Sequence, residues 1–286
     1  MERVVILGNF DGVHIGHQNL IKEAIKYANS HNLESVVYTF STLPSNKKYL
    51  MTVDEKISAI KDLGVDRVYV EDFFDVKNYT PQEFVKEILK GKLNAIKVFC
   101  GYNYTFGNNK SGNVNLLSEL IDTTVINEIK VDGIRTSSST IREYIENGNL
   151  ELANKLLGKP FQICGEVIHG KKLGRVLGFP TANIRPNALK INIPLGVYGV
   201  KLKIEGYDKI YTAIMNIGRT PTITNNNQVI SETNILDFNE DIYGKKITVY
   251  LYKMIREEKK FENIEKLKEQ MTKDKQYWRS IANAYN

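Results

Sequence analysis

Val4-Val5-Ile6-Leu7-Gly8-Asn9-Phe10-Asp11-Gly12-Val13-His14-Ile15-Gly16-His17 decides how the first half of the chain is read. A short aliphatic strand, Val4 to Leu7, runs into a glycine-punctuated loop, and a helix follows to about Asn29. On that reading His14 and His17 lie one turn apart, on one face of the helix's first turn. Free backbone amides and the positive end of the helix dipole already favour phosphate at such a place, and two imidazoles add donors aimed there. Gly16, between them, lets a ligand approach the backbone closely. Two histidines also meet by chance near helix starts, but here strand, glycines and helix fall in the right order.

Outward from this stretch, short β-rich runs alternate with amphipathic helices up to residue 158, the pattern of an α/β domain with a mostly parallel sheet. The expected strands are Val4 to Leu7, Ser35 to Phe40, Arg67 to Val70, Ile96 to Cys100 and Thr124 to Ile126. Thr80-Pro81-Gln82-Glu83 reads as a capping box with Pro at the first helical position, its helix closed by Gly91. Thr140-Ile141-Arg142-Glu143 reads as another, stopped by Gly148, and Gly158 ends the following Leu150 to Leu157. The domain boundary is therefore expected near Gly158, giving 1–158 and 159–286. In the second domain the period becomes two. Val200, Leu202 and Ile204 alternate with lysines, and Ile247, Val249 and Leu251 with Thr248, Tyr250 and Tyr252, as in half-buried antiparallel strands. This half is expected to be a β-barrel or sandwich. Phe261, Ile264, Leu267, Met271, Trp278 and Ile281 predict an amphipathic helix packed on it.

Composition narrows the classes. With 286 residues, about two domains are expected, and 42% hydrophobic and 25% charged residues exclude a disordered or collagen-like chain. No run approaches the ~18 apolar residues of a membrane helix, and Val4 to Leu7 is too short for a signal-peptide core, so a soluble cytoplasmic protein is expected. Cys100 and Cys164 are isolated, which suggests neither a disulfide framework nor a zinc site. The net charge of +6 is uneven: residues 1–158 carry −2 and residues 159–286 carry +8. A basic domain fits nucleic acid, nucleotide phosphates or a solvated lysine-rich face, and charge alone does not choose.

The arrangement around His14 and His17 has no nucleophile and needs none, because an incoming phosphate can itself attack the α-phosphorus of a nucleoside triphosphate while the protein positions and stabilises charge. The stretch resembles the HxGH signature of the nucleotidyltransferase superfamily, a Rossmann-like fold, and its Gly-x-Phe-Asp-Gly-x-His form resembles the FMN adenylyltransferase branch. The resemblance makes His14 and His17 catalytic and places Gly8, Phe10, Asp11 and Gly16 at the nucleotide. Ser137-Ser138-Ser139-Thr140-Ile141-Arg142 puts hydroxyls and a guanidinium at another helix start. It is similar to the family's second phosphate motif, which gives Ser138, Ser139 and Arg142 to the triphosphate. Gly101 to Gly107 is similar to the nucleotide-site loop, with Asn103 where Asp or Asn is usual. Ser41-Thr42-Leu43-Pro44 departs from the Pro-His-Pro of many relatives, which leaves contacts from that loop open.

Residues 165–183, Gly165-Glu166-Val167-Ile168-His169-Gly170-Lys171-Lys172-Leu173-Gly174-Arg175-Val176-Leu177-Gly178-Phe179-Pro180-Thr181-Ala182-Asn183, carry four glycines without the strand and helix of a Walker or Rossmann loop. Thr181 and Asn183, two apart in an extended segment, can aim two neutral oxygens at one point, which suits a hard cation such as Mg²⁺ on ATP phosphates. The stretch resembles the riboflavin kinase signature Gly-Arg-x-Leu-Gly-Phe-Pro-Thr-Ala-Asn, and the similarity continues through Gly196-Val197-Tyr198, Asn216-Ile217-Gly218 and Pro221-Thr222. It implies that Glu232, before Ile235-Leu236-Asp237-Phe238, is the general base. It also implies that Gly170, Lys172, Gly174, Arg175, Gly178, Pro180, Thr181, Asn183, Asn216 and Arg256 bind ATP, metal or flavin, with Thr181 and Asn183 on the metal. Asn234 stands where many relatives have His and receives no role.

Together the halves resemble the bacterial bifunctional riboflavin kinase and FAD synthetase family. That implies an antiparallel β-barrel kinase after the adenylyltransferase, riboflavin, FMN and ATP as substrates, FMN and FAD as products, Mg²⁺ as cofactor, and neither nucleic acid nor membrane as partner. Oligomeric state is not readable. Two rivals stay open: a nucleotidyltransferase with another acceptor, and a flavin- or RNA-binding regulator that has lost catalysis.

Overall fold

The computed structural model describes residues 1–42, 48–170, 179–220 and 228–285. Compactness divides the chain into two units, Met1–Thr140 and Ile141–Asn286.

In the first unit β1 (Arg3–Leu7) leads into α1 (Ile15–Ser30), followed by β2 (Glu34–Phe40), α2 (Val53–Lys61), β3 (Arg67–Glu71) and α3 (Phe73–Val76). Thr80 caps α4 (Pro81–Glu83) with the anticipated capping box, and the helix runs on with π-type turns over Phe84–Lys92. Gly91 does not close it: the chain turns instead at Asn94, whose φ of 49° takes the left-handed conformation that Asn tolerates. Then come β4 (Ala95–Gly101), the hairpin of β5 (Thr105–Phe106) with β6 (Gly112–Asn113), α5 (Val114–Leu120), β7 (Thr123–Ile126) and the hairpin of β8 (Lys130–Val131) with β9 (Ile134–Arg135). The division between units falls within α6 (Ser138–Glu146). Its cap is Ser137, whose Oγ accepts from Thr140 N at 3.1 Å, so Thr140 is the third helical residue and not the cap.

The five long strands pair in parallel in the order β3-β2-β1-β4-β7. All five strands expected from the sequence are present. β1 is buried on both faces: Val4 and Ile6 join Leu20, Ile21 and Ala24 of α1, while Val5 and Leu7 join Phe84, Ile88 and Leu89. The chain winds outward from β1 to β3, then crosses back to β4 on β1's other side. Loops after β1 and β4 therefore leave in opposite directions, which opens a crevice at the strands' carboxyl ends.

In the second unit α7 (Leu150–Leu157) ends at Gly158, whose φ is 72°. β10 (Phe161–Glu166), β11 (Ala182–Ile184), β12 (Gly196–Ile204), β13 (Ile210–Thr220), β14 (Gln228–Ile235) and β15 (Lys246–Glu257) form one antiparallel sheet in the order β10-β15-β12-β13-β14-β11. Its ends meet, because Ile168 N, just past β10, donates to Asn183 O of β11 at 2.8 Å. The sheet thus curls into a barrel filled by Ile163, Ile184, Leu202, Met215 and Val249, among others. The C-terminal helix Ile264–Ile281 packs through Trp278, fully buried, whose Nε1 donates to Val200 O at 3.1 Å. Gly199 makes room for the indole: a Cβ there would lie 2.2 Å from Trp278 Cε3. The expected apolar stripe is only partly core. Ile264 is 57% exposed, and Phe261, Leu267 and Met271 line a cavity.

Candidate active sites

In the first unit a cavity of about 690 Å³ opens at the carboxyl ends of the parallel strands, lined by Leu7, Phe40, Gly101 and Ile126 from four of them. Gly8, Asn9, His14, Gly16, His17, Asn103, Ser138 and Ser139 line it as well. His14 is not inside the helix but is its extended N-cap, and its Nδ1 accepts from His17 N at 3.3 Å. With Nδ1 accepting, the neutral ring carries its proton on Nε2. The two imidazoles stack at 3.6 Å between centroids, 15° from parallel. A Cβ at Gly16 would lie 3.3 Å from the His14 ring, so glycine leaves the cap its place. Burial lowers the His14 pKa to about 4, and burial, His14 and Lys56 together hold His17 well below the usual imidazole range. Both rings are therefore neutral hydrogen-bonding groups at neutral pH. His17 Nδ1 is buried with no hydrogen-bond partner among the described residues.

Phe10 and Asp11 do not line this cavity. Phe10 is fully buried and meets the edge of the His17 ring at 5.1 Å. The buried Asp11 carboxylate accepts from Leu50 N at 3.0 Å and Met51 N at 3.2 Å, and Asp11 O accepts from Ser138 Oγ at 2.8 Å. These residues brace the loop and tie it to the serine motif. Arg142 follows Ser138 by four positions along α6, past the division between the units.

In the second unit, strand register assembles the site. Asn183 of β11 stands opposite Glu232 of β14, Glu232 opposite Asn216 of β13, Asn216 opposite Val197 of β12, and Val197 opposite Arg256 of β15. Directly opposed residues share a face of a sheet, so one row across five strands carries Asn183, Glu232, Asn216 and Arg256. All four line a cavity of about 350 Å³ with Thr181, Phe179, Phe261 and Met271. A second cavity of about 400 Å³ is lined by Gly170, Pro180, Asp241 and Tyr243, and again by Thr181 and Asn183. Those two residues form a wall common to both cavities. Arg256 Nε donates to Asp274 Oδ2 at 2.9 Å, and its guanidinium lies 5.6 Å from the Phe261 ring centre. It is both ion-paired and part of the cavity wall. Asn234 Nδ2 holds Pro180 O at 2.8 Å, which fixes the entry to Thr181. Lys172, Gly174, Arg175 and Gly178 lie outside the described residues, as does most of the Ser41 to Asn46 loop.

Among the described residues no group of three His, Cys, Asp or Glu could hold a metal ion. A hard cation that keeps water and phosphate ligands needs fewer protein donors. Asn183 Oδ1 is buried with no partner among the described residues, Thr181 is two positions away, and a Cβ at Gly170 would come within 2.5 Å of Asn183 Nδ2. An orphaned carbonyl oxygen in a space kept open by glycine fits such a cation.

The model of the FAD synthetase family matches residues 1–143, and that of riboflavin kinase matches residues 157–282. The bifunctional riboflavin kinase/FMN adenylyltransferase of Bacillus subtilis (strain 168) is 38% identical over 288 residues, covering 96% of this chain and 90% of that protein. The chain belongs to this bifunctional family. The counterpart from Escherichia coli (strain K12) is 34% identical, covering 95% of this chain and 90% of its own. A crystal structure described as a macrolide-efflux protein from Streptococcus pneumoniae superposes with a TM-score of 0.88 at 33% identity, covering 97% of this chain and 94% of that one. Among the described residues of this enzyme, no helix is long and apolar enough to cross a membrane.

The sequence does not reveal the site role of four residues. Lys56 is one: four positions before buried Ile60, it sits on the inner stripe of α2, a signal present in the spacing. Asp274, which braces Arg256, left no such signal. Phe261 and Met271 were recognised as an apolar stripe, but that pattern does not distinguish core from cavity wall.

Proposed function

We propose that the second unit transfers the γ-phosphoryl group of ATP to the primary ribityl hydroxyl of riboflavin, and that the first unit joins the resulting FMN to the adenylyl part of a second ATP. The observation that carries the reading is the row Asn183, Glu232, Asn216 and Arg256 across five strands. It puts a carboxylate beside the orphaned Asn183 oxygen, at the wall shared by two cavities. ATP is assigned to the cavity of Gly170 and Tyr243. Flavin is assigned to that of Phe179, Phe261 and Met271, whose apolar walls suit a flat ring. Glu232 accepts the proton of the ribityl hydroxyl as the hydroxyl oxygen bonds to the γ-phosphorus and the bond from that phosphorus to ADP breaks. Thr181 and Asn183 would hold Mg²⁺, which when bound neutralises charge on the phosphates.

In the first unit the FMN phosphate attacks the α-phosphorus of ATP and pyrophosphate leaves. His14, with its proton on Nε2, and His17 donate to the oxygens that gain charge. Ser138, Ser139 and Arg142 are assigned to the β- and γ-phosphates and Asn103 to the nucleotide. Residues 1–158 and 159–286 are the catalytic modules on this reading, working in the cytoplasm on small molecules. The basic second half is explained by its polyanionic ligands.

The test is incubation of the purified chain with riboflavin, ATP and Mg²⁺, resolving flavins by chromatography. Sequential appearance of FMN, then FAD with pyrophosphate, is expected. Adenylylation of a different phosphate acceptor with no FMN formed would overturn the reading.

A further inference from the structure

Behind the His14 and His17 loop lies a buried lysine that neither signature contains. Lys56 is 5% exposed, and its Nζ donates to Phe40 O at 2.6 Å, Asn9 O at 3.2 Å and Thr39 Oγ1 at 3.2 Å. Three protons meet three acceptors, so the hydrogen bonding of an ammonium is complete, yet all three acceptors are neutral. Burying a cation whose hydrogen-bond partners are all neutral is costly, a cost that the Asp11 carboxylate offsets only in part, and an uncharged side chain of similar length would fill the space without it. The position explains what is gained. Asn9 and Phe40 both line the cavity, so Lys56 stands directly behind its wall, where β1 and β2 end. The same segment grips the loop a second time, since Leu50 N and Met51 N hold the Asp11 carboxylate.

We infer that Lys56 is a positioning residue for adenylyl transfer: it clamps the start of the HxGH loop to the end of β2 and places a fixed positive charge behind the two histidines. The inference rests on the assignment of adenylyl transfer to this cavity. Charge develops on phosphate oxygens as the α-phosphorus is attacked, and a preorganised cation behind the donors favours that state over the ground state. Asp11 favours the Lys56 cation, burial opposes it and lowers its pKa to about 8, and Lys56 and His14 both disfavour protonation of His17.

The experiment uses the full chain with Lys56→Met and Lys56→Gln, the latter keeping a donor without the charge. For both, FAD formation from supplied FMN is expected to lose at least roughly tenfold in kcat with less than about threefold change in KM for ATP. FMN formation from riboflavin, carried by the other unit, should stay unchanged and report that the second unit is intact, while a retained cooperative unfolding transition of the first unit reports that Lys56's own unit is folded. A second readout is the titration of the His17 ring protons by NMR, whose midpoint should rise once the cation is gone. That shift is not expected from a residue that only fills space. If Lys56→Met unfolds the first unit, Lys56→Gln decides: a folded variant with full FAD-forming kcat, or an unmoved His17 titration, overturns the inference. His17→Ala is run in parallel. Undiminished FAD formation by that variant would instead remove the site assignment itself, while its loss beside active Lys56 variants would reject Lys56 alone.

Discussion

Asn183 stands directly opposite Glu232 across the pairing of β11 with β14. The pairing is what turns two residues 49 positions apart into neighbours, one an amide oxygen without a partner among the described residues and the other a carboxylate. On the proposed reading a hydroxyl must lose its proton as its oxygen attacks the γ-phosphorus, and this juxtaposition sets the proton-accepting carboxylate of Glu232 beside Asn183, which with Thr181 would hold Mg²⁺.

Glu232→Gln keeps the shape and removes the proton acceptor. Riboflavin phosphorylation should fall by roughly 10² to 10⁴ while FAD formation from supplied FMN is unchanged. Chromatographic rates for the two steps check this, and near-normal FMN formation would remove Glu232 from the chemistry.

Gly170→Ala would place a methyl group where Asn183 Nδ2 now comes within 2.5 Å of the would-be Cβ. The Asn183 side chain would have to swing away, so the Mg²⁺ concentration for half-maximal FMN formation should rise by about 10-fold or more, as for other perturbed metal-site neighbours. Titrating Mg²⁺ against the kinase rate checks it, and an unchanged midpoint would separate Asn183 from the metal.

How much of this was legible beforehand follows from range. The β1 to His17 stretch is local, with strand, loop and helix consecutive, so its fold and candidate residues could be read directly. The five parallel strands followed for the same reason. The finer caps were misread where several hydroxyls compete: Ser137 won over Thr140 because its Oγ reaches Thr140 N. The row from Asn183 to Arg256 depends on register across strands far apart in sequence, which alternation alone does not set. Lys56 was hidden by its own charge, since a lysine beside Glu55 in a helix with Asp54 and Lys61 reads as solvated surface.

The packing of Gly199 on Trp278 predicts a stability effect with no direct effect on chemistry. Gly199→Ala would drive a Cβ into the indole at 2.2 Å and disturb its bond to Val200 O. A loss of roughly 1–3 kcal/mol, or more, is expected in the unfolding of the second unit. Denaturant titration followed by Trp278 fluorescence, the chain's single tryptophan, measures it.

The neutral histidines make the first unit acid-sensitive. His14 titrates near 6.5 when unfolded and at about 4 when folded, because burial disfavours its charged form. Between those values the unfolded state binds more protons, so stability is complete above about pH 6.5 and declines as pH falls toward about 4. His17 is displaced in the same direction. Unfolding midpoints of the first unit at pH 7 and pH 5 should therefore differ more in the wild-type chain than in a His14→Asn, His17→Asn variant. Equal differences would mean that the imidazoles are not neutral in the folded protein.

The second unit's boundary decides which fragment will work alone. If residues 159–286 are a self-sufficient kinase module, cutting after Gly158 should suffice. Yet α7, just before that cut, buries Leu150, Ala153, Leu156 and Leu157, and it contacts β10 and β15. Asn154 Nδ2 donates to Leu251 O at 2.8 Å, Asn154 Oδ1 accepts from Phe161 N at 2.7 Å, and Lys253 pairs with Glu151 at 2.9 Å. Removing α7 exposes that apolar face and leaves the backbone groups of Leu251 and Phe161 without these side-chain partners. Both fragments carry the row from Asn183 to Arg256, so both should make FMN and neither FAD. The 141–286 fragment should unfold at a clearly higher temperature than 159–286, and Asn154→Ala in the longer fragment should recover part of the difference. Equal melting temperatures would show that α7 adds nothing to the barrel, and a folded 141–286 fragment without riboflavin kinase activity would show that the catalytic module is not contained in this half of the chain.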